Sequence, residues 1–335
     1  MMESRFSRRN FLKAGGVGIA GMTLFGVAGC GGGEESEEGE AAGLTSRGDI
    51  RIEMPTHMIP PDPNTAIMQN GAEQAARDMG VDAKFRGPDT FSIPDIQQIF
   101  EAAIAANPSG IAATVPDPDA LGPLVEKAVN QDIPVVLFNA GLDVWEQLGA
   151  LTYYGQEERD AGVAAGERMA EAGVTNALCV NHQQGQLTLE TRCEGFDQGV
   201  GGTVKQIAVD GADPTAMRNG METALKQNPD VEGLLTLGPE AAAQALRAVE
   251  AAGRKDSVKV ATFDISPDVL KAVQSGDLLF AIDQQMFLQT YASIVTLVTW
   301  IQYRLSAVTA VPTGPAFVTA DTAQTILKLS GEGIH

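Results

Sequence analysis

Positive charge is scarce in this 335-residue chain. Lys and Arg number 23 against 43 Asp and Glu, and the net charge is −20. That balance argues against a phosphate-backbone partner or a patch that clings to anionic lipid, so no nucleic-acid partner is expected. Aromatic residues are 5% of the chain and hydrophobic residues 44%, so the core must be mainly aliphatic. There are three cysteines and three histidines. His57 and His182 fall at predicted strand ends, but the other ligand types near them, Asp62 and Cys179, stand at no metal-ligand spacing. Neither a metal nor another cofactor is expected. No GxSxG elbow is present, and the glycine-rich GVGIAG near the start follows no strand. The acids Asp117 and Asp119 flank Pro118 in a loop, where Asp119 reads as a helix N-cap. No catalytic constellation emerges, so the chain reads as a binder and not an enzyme.

A long apolar run is missing too. Ala14–Ala28 is shorter than the ~20 residues that cross a bilayer. Its many glycines, Gly15, Gly16, Gly18, Gly21 and Gly26 among them, oppose a buried helix. A cleaved address fits better. Ser7-Arg8-Arg9-Asn10-Phe11-Leu12-Lys13 resembles a twin-arginine export signal, and Val27-Ala28-Gly29-Cys30 resembles a lipobox whose cysteine is acylated. Residues 1–30 are therefore expected to be a twin-arginine lipoprotein signal, with Cys30 the lipid attachment site. Residues 31–48 carry Glu34, Glu35, Glu37, Glu38 and Glu40 and no large apolar cluster, as expected for a disordered acidic tether.

From Ile50 onward short aliphatic runs alternate with amphipathic stretches. Strands are predicted over Ile50–Met54, Gly110–Val115, Pro134–Phe138, Asn176–Asn181, Val204–Val209, Gly233–Leu237, Val258–Phe263 and Leu278–Ile282. The alternation predicts parallel sheets with helices on both faces. An internal echo supports two similar α/β lobes. Asn107-Pro108 before one strand and Pro116 after it match Asn228-Pro229 and Pro239 in the second half. Ligands of open α/β sheets bind beyond the carboxyl ends of the strands. Cys179 and Cys193 read as two buried thiols, with a disulfide the alternative that export would permit.

The stretches DPNTAIMQNGAEQAARDMGV, IPVVLFNAG, TRCEGFDQGV and VKVATFDISPDVLKAVQSGDLLFAIDQQ resemble the sugar-binding proteins of bacterial ABC importers. The branch is the ribose-binding type, of periplasmic binding protein type I fold. The resemblance implies two doubly wound parallel-sheet lobes joined by three crossovers, with residues 49–154 and 285–312 in the N-terminal lobe. Residues 155–284 and 313–335 make the C-terminal lobe. It places the family's ligand residues on Asp62, Asn139, Arg192, Asp264 and Gln284. The family's asparagine after the second-lobe strand falls on Gly238, an arginine on Ala140, and its two first-loop aromatics on Asn64 and Thr65. Phe91, Phe138 or Trp145 could stand in for the lost aromatics, and His57 and His182 are further ligand candidates.

What the resemblance implies is a monomeric solute receptor for a monosaccharide or similar polyol. It would serve an ABC permease from the outer face of the cytoplasmic membrane, touching lipid only through Cys30. A ligand receptor that feeds a sensor kinase is the alternative, and an exported α/β enzyme a more distant one. A DNA-binding repressor of this fold would need a helix pair where this chain has its export signal.

Overall fold

The computed structural model describes residues 45–60 and 63–335. The expected export signal, the lipobox cysteine Cys30 and most of the tether lie outside the described residues, as does Asp62. The fold is already engaged at Thr45. Gln302 donates to Thr45 O at 3.3 Å, and Arg47 donates to Gln302 at 3.2 Å.

Two six-stranded sheets organise the rest. The first contains β1 Arg51–Pro55, β2 Asp82–Arg86, β3 Gly110–Ala113, β4 Val135–Phe138, β5 Tyr153–Gly155 and β11 Val311–Pro312, in the order β11-β5-β4-β3-β1-β2. Every neighbour in it is parallel. The second contains β6 Asn176–Asn181, β7 Thr203–Ala208, β8 Gly233–Thr236, β9 Lys259–Phe263, β10 Ala281–Asp283 and β12 Ala316–Val318, in the order β12-β10-β9-β8-β6-β7. It is parallel except for β12, which runs antiparallel to β10. The internal echo is now explained, because β3 and β8 hold the same place in the two orders. Both are buried at every residue, as parallel strands covered on two faces must be.

Helices α1 Pro63–Met79, α2 Ile93–Ala105, α3 Pro118–Val129 and α9 Met286–Tyr303 cover the first sheet. Helices α4 Glu158–Glu171, α5 Leu187–Val200, α6 Pro214–Gln227, α7 Pro239–Ala251, α8 Pro267–Ser275 and α10 Ala320–Ser330 cover the second. Each sheet has one aliphatic cluster on either face. The chain passes between sheets after β5, after β10 and between β11 and β12, so each lobe is built from separated stretches.

Two expectations are corrected. Asp117, not Asp119, caps α3: its carboxylate accepts from Ala120 N at 3.1 Å, and Asp119 sits in the first turn. Cys179 of β6 and Cys193 of α5 are not free thiols but form a disulfide, with Cα atoms 5.7 Å apart. A tight helix pair lies beside it. Gly162 and Gly166 of α4 face Gly195 and Gly199 of α5, and a Cβ on any of these four would overlap backbone of the other helix. Glycine is required here so that the two backbones can touch. That approach holds Glu158 of α4 against Arg192 of α5.

Candidate functional site

The carboxyl ends of equivalent strands carry equivalent residues. Asn139 follows β4 and Asp264 follows β9, strands in matching places. Both adopt left-handed backbone, with φ of 60° and 61°. Asn and Asp tolerate this region better than most residues, so each turns the chain sharply off its strand. Gln156 follows β5 and Gln284 follows β10, again in matching places and each at a passage between sheets.

Three of the predicted residues form one cluster. Gln284 Nε2 donates to Asp264 Oδ1 at 2.5 Å. Arg192 Nη1 lies 3.9 Å from Asp264 Oδ2. Arg192 is 4% exposed, and its guanidinium rests 4.5 Å above the Phe263 ring. Its Nε and Nη2 are committed to Glu158, at 2.6 and 3.2 Å, a bidentate fork. Asn139 joins the cluster through α9. Its Nδ2 donates to Gln289 Oε1 at 3.1 Å, and Gln289 Nε2 donates to Gln284 O at 3.1 Å and to Thr313 Oγ1 at 3.1 Å. Tyr153 Oη fixes the turn by donating to Asn139 O at 2.7 Å.

The histidines stand apart from one another. His57 follows β1 and is held by Thr114, whose Oγ1 lies 2.9 Å from both its backbone N and its Nδ1. Burial lowers its pKa to about 4, so it is neutral at pH 7. Phe91 meets its ring edge-on at 6.3 Å and is itself 60% exposed. His182 follows β6 and lies over Gly238: a Cβ there would stand 3.3 Å from Cε1 and 3.4 Å from Nε2. Burial lowers the pKa of His182, Glu240 opposes that shift and Arg192 adds to it. Its Nδ1 is buried without a hydrogen-bond partner, as is Gln156 Oε1. Buried polar atoms are nearly always bonded, so these two, with Ser330 Oγ on α10, are exceptions among the described residues. Among the described residues no group of His, Cys, Asp and Glu could hold a metal ion.

Sequence reasoning missed Glu158, Gln156, Gln289 and Thr313. Gln289 carried a signal, since it is a fully buried amide in the apolar run of α9. Glu158 carried none, because it meets Arg192 only through the contact of α4 with α5.

Known proteins place this geometry. The profile of the periplasmic binding protein domain matches residues 58–304. The chain belongs to that family. Its two parallel-sheet lobes are those the sequence resemblance implied, and solved members of the type share them. A carbohydrate transporter from Acidothermus cellulolyticus, solved in complex with myo-inositol, is 37% identical with a TM-score of 0.76, covering 85% of this chain and 99% of that one. The xylose/arabinose-binding protein XylF of Sulfolobus acidocaldarius is 25% identical over 283 residues, 78% of this chain and 69% of that protein. The ribose import binding protein RbsB of Escherichia coli is 31% identical over 173 residues, 50% of this chain and 57% of that protein. Among the described residues no helix is long and apolar enough to cross a membrane.

Proposed function

We propose that this chain is the extracytoplasmic solute-binding protein of an ABC importer, and that it binds a neutral cyclic polyol or monosaccharide between its lobes. The observation that carries the reading is the Arg192–Asp264–Gln284 cluster, linked through Gln289 to Asn139 of the other lobe. Such a set offers donors and acceptors in fixed directions, as vicinal hydroxyls require. Charge selects a neutral ligand. Arg192 is already answered by Glu158 and Asp264, and the nearby histidines have lowered pKa values. A sugar phosphate or sugar acid would meet unbalanced carboxylates. His182 Nε2, over the bare Gly238, supplies one more partner for a ligand hydroxyl.

Ligand in the cleft would bond both lobes only when they approach, and so would shift the population to the closed form that a permease accepts. Asp62 of the first lobe completes the set. Export follows the twin-arginine route, and acylated Cys30 holds the domain at the outer face of the cytoplasmic membrane. A thermal-shift screen of neutral polyols, sugars and their phosphates tests the ligand class. Myo-inositol or a close neutral relative at 100 times its Kd should add about 2.7 kcal/mol of stability. A response to the phosphates alone would overturn the neutral-ligand reading.

A further inference from the structure

The segment after α10, Gly331–His335, touches both lobes. Asn70 Nδ2, on α1 of the first lobe, donates to Gly333 O at 3.1 Å. His335 Nδ1 lies 2.8 Å from Asp283 Oδ2, and the other oxygen of Asp283 accepts from Gln285 N at 2.7 Å. The segment is therefore tied both to α1 and to the residue that precedes the passage from β10 to α9. It also walls a small cleft in which Asn64 and Ile67 of α1 face Asp264 and Gln284, with Ile334 and His335 closing the side. Gly333 fits this path for two reasons. Its φ is 75°, and a Cβ on it would overlap Asn70 Nδ2.

We propose that Gly331–His335 is an interlobe strap that holds α1 to the second lobe beside the ligand residues and sets how far the cleft opens without ligand. The proposal rests on the reading of a two-lobed binder. Lobes that rotate about the passages between sheets must lengthen the Asn70–Gly333 contact, so the strap favours their approach. It pre-orders the binding-competent arrangement, and an arrangement already populated binds more tightly.

The test is the distance between nitroxides at Glu101→Cys on α2 and Lys205→Cys on β7, read by double electron–electron resonance on the ligand-free full chain carrying Cys30→Ser. Both positions are exposed. Asn70→Ala and Gly333→Ala should each shift the distribution to longer or broader distances. Gly331→Ala, whose Cβ meets only Lys328 O at 3.3 Å, should leave it unchanged. Distributions identical to the parent in both strap variants would overturn the proposal. Calorimetry with myo-inositol adds a second readout, with affinity expected to fall roughly two- to tenfold in the strap variants, the worth of one lost hydrogen bond. Because the distances are read without ligand, they judge the strap independently of the ligand assignment.

Discussion

Glu158→Ala is the most informative single perturbation of the site. Arg192 is buried, and Glu158 takes two of its nitrogens at 2.6 and 3.2 Å while also accepting from Gln156 Nε2 at 2.9 Å. Removing the carboxylate leaves a buried guanidinium with Asp264 at 3.9 Å as its charged neighbour. Breaking a buried pair on one side costs about 3–5 kcal/mol, because the remaining charge keeps its desolvation penalty. Replacing both partners removes that penalty. Glu158→Ala combined with Arg192→Met should therefore be more stable than Glu158→Ala alone, by about 2 kcal/mol or more. Urea unfolding at unchanged m-value reads both quantities. If the single variant loses less than about 1 kcal/mol, or the double variant is the less stable, the pair is not the buried charge-balanced element described above.

Two further outcomes follow from the same structure. Cys179 and Cys193 are 14 positions apart; a closed loop of about 15 residues restricts the unfolded chain by about 3 kcal/mol. Calorimetric unfolding of Cys179→Ala with Cys193→Ala should show a loss of that order, and an unchanged transition would contradict the brace. His57 imposes a pH dependence. The unfolded chain takes up this proton near pH 6.5 and the folded chain only near 4. The unfolded state thus binds more protons in that window, and stability falls as pH drops through it, by up to roughly 3 kcal/mol, with no contribution from His57 above it. His57→Gln should flatten this part of the stability profile; an identical slope in the variant would remove His57 as its source.

The alternation of aliphatic strands and amphipathic helices was legible because parallel strands buried on both faces need unbroken apolar runs, as in β3, β4 and β8. β2 was not, since it lies at a sheet edge and alternates exposed and half-buried residues. The register of α5 was hidden for another reason: glycine contacts with α4 and the disulfide fix it, not an apolar stripe. The same holds for the site. Asp264 and Gln284 could be placed from strand ends, and the structure brings them into hydrogen-bond contact. Glu158 reaches Arg192 only because α4 and α5 touch at their backbones, a tertiary effect that local pattern does not encode. Gln289 links Asn139 to the second passage between sheets from inside a helix whose other buried residues are mostly apolar or small.

The central claim is that Asp264 bonds a neutral polyol in the cleft. Asp264→Asn is the direct probe, because asparagine keeps the shape and tolerates the left-handed backbone at φ 61°. Isothermal titration of myo-inositol into the parent and the variant reads the loss of one charge-assisted hydrogen bond, about 1.5–3 kcal/mol, or roughly a ten- to hundredfold weaker Kd. Equal affinity in the two proteins would contradict the account.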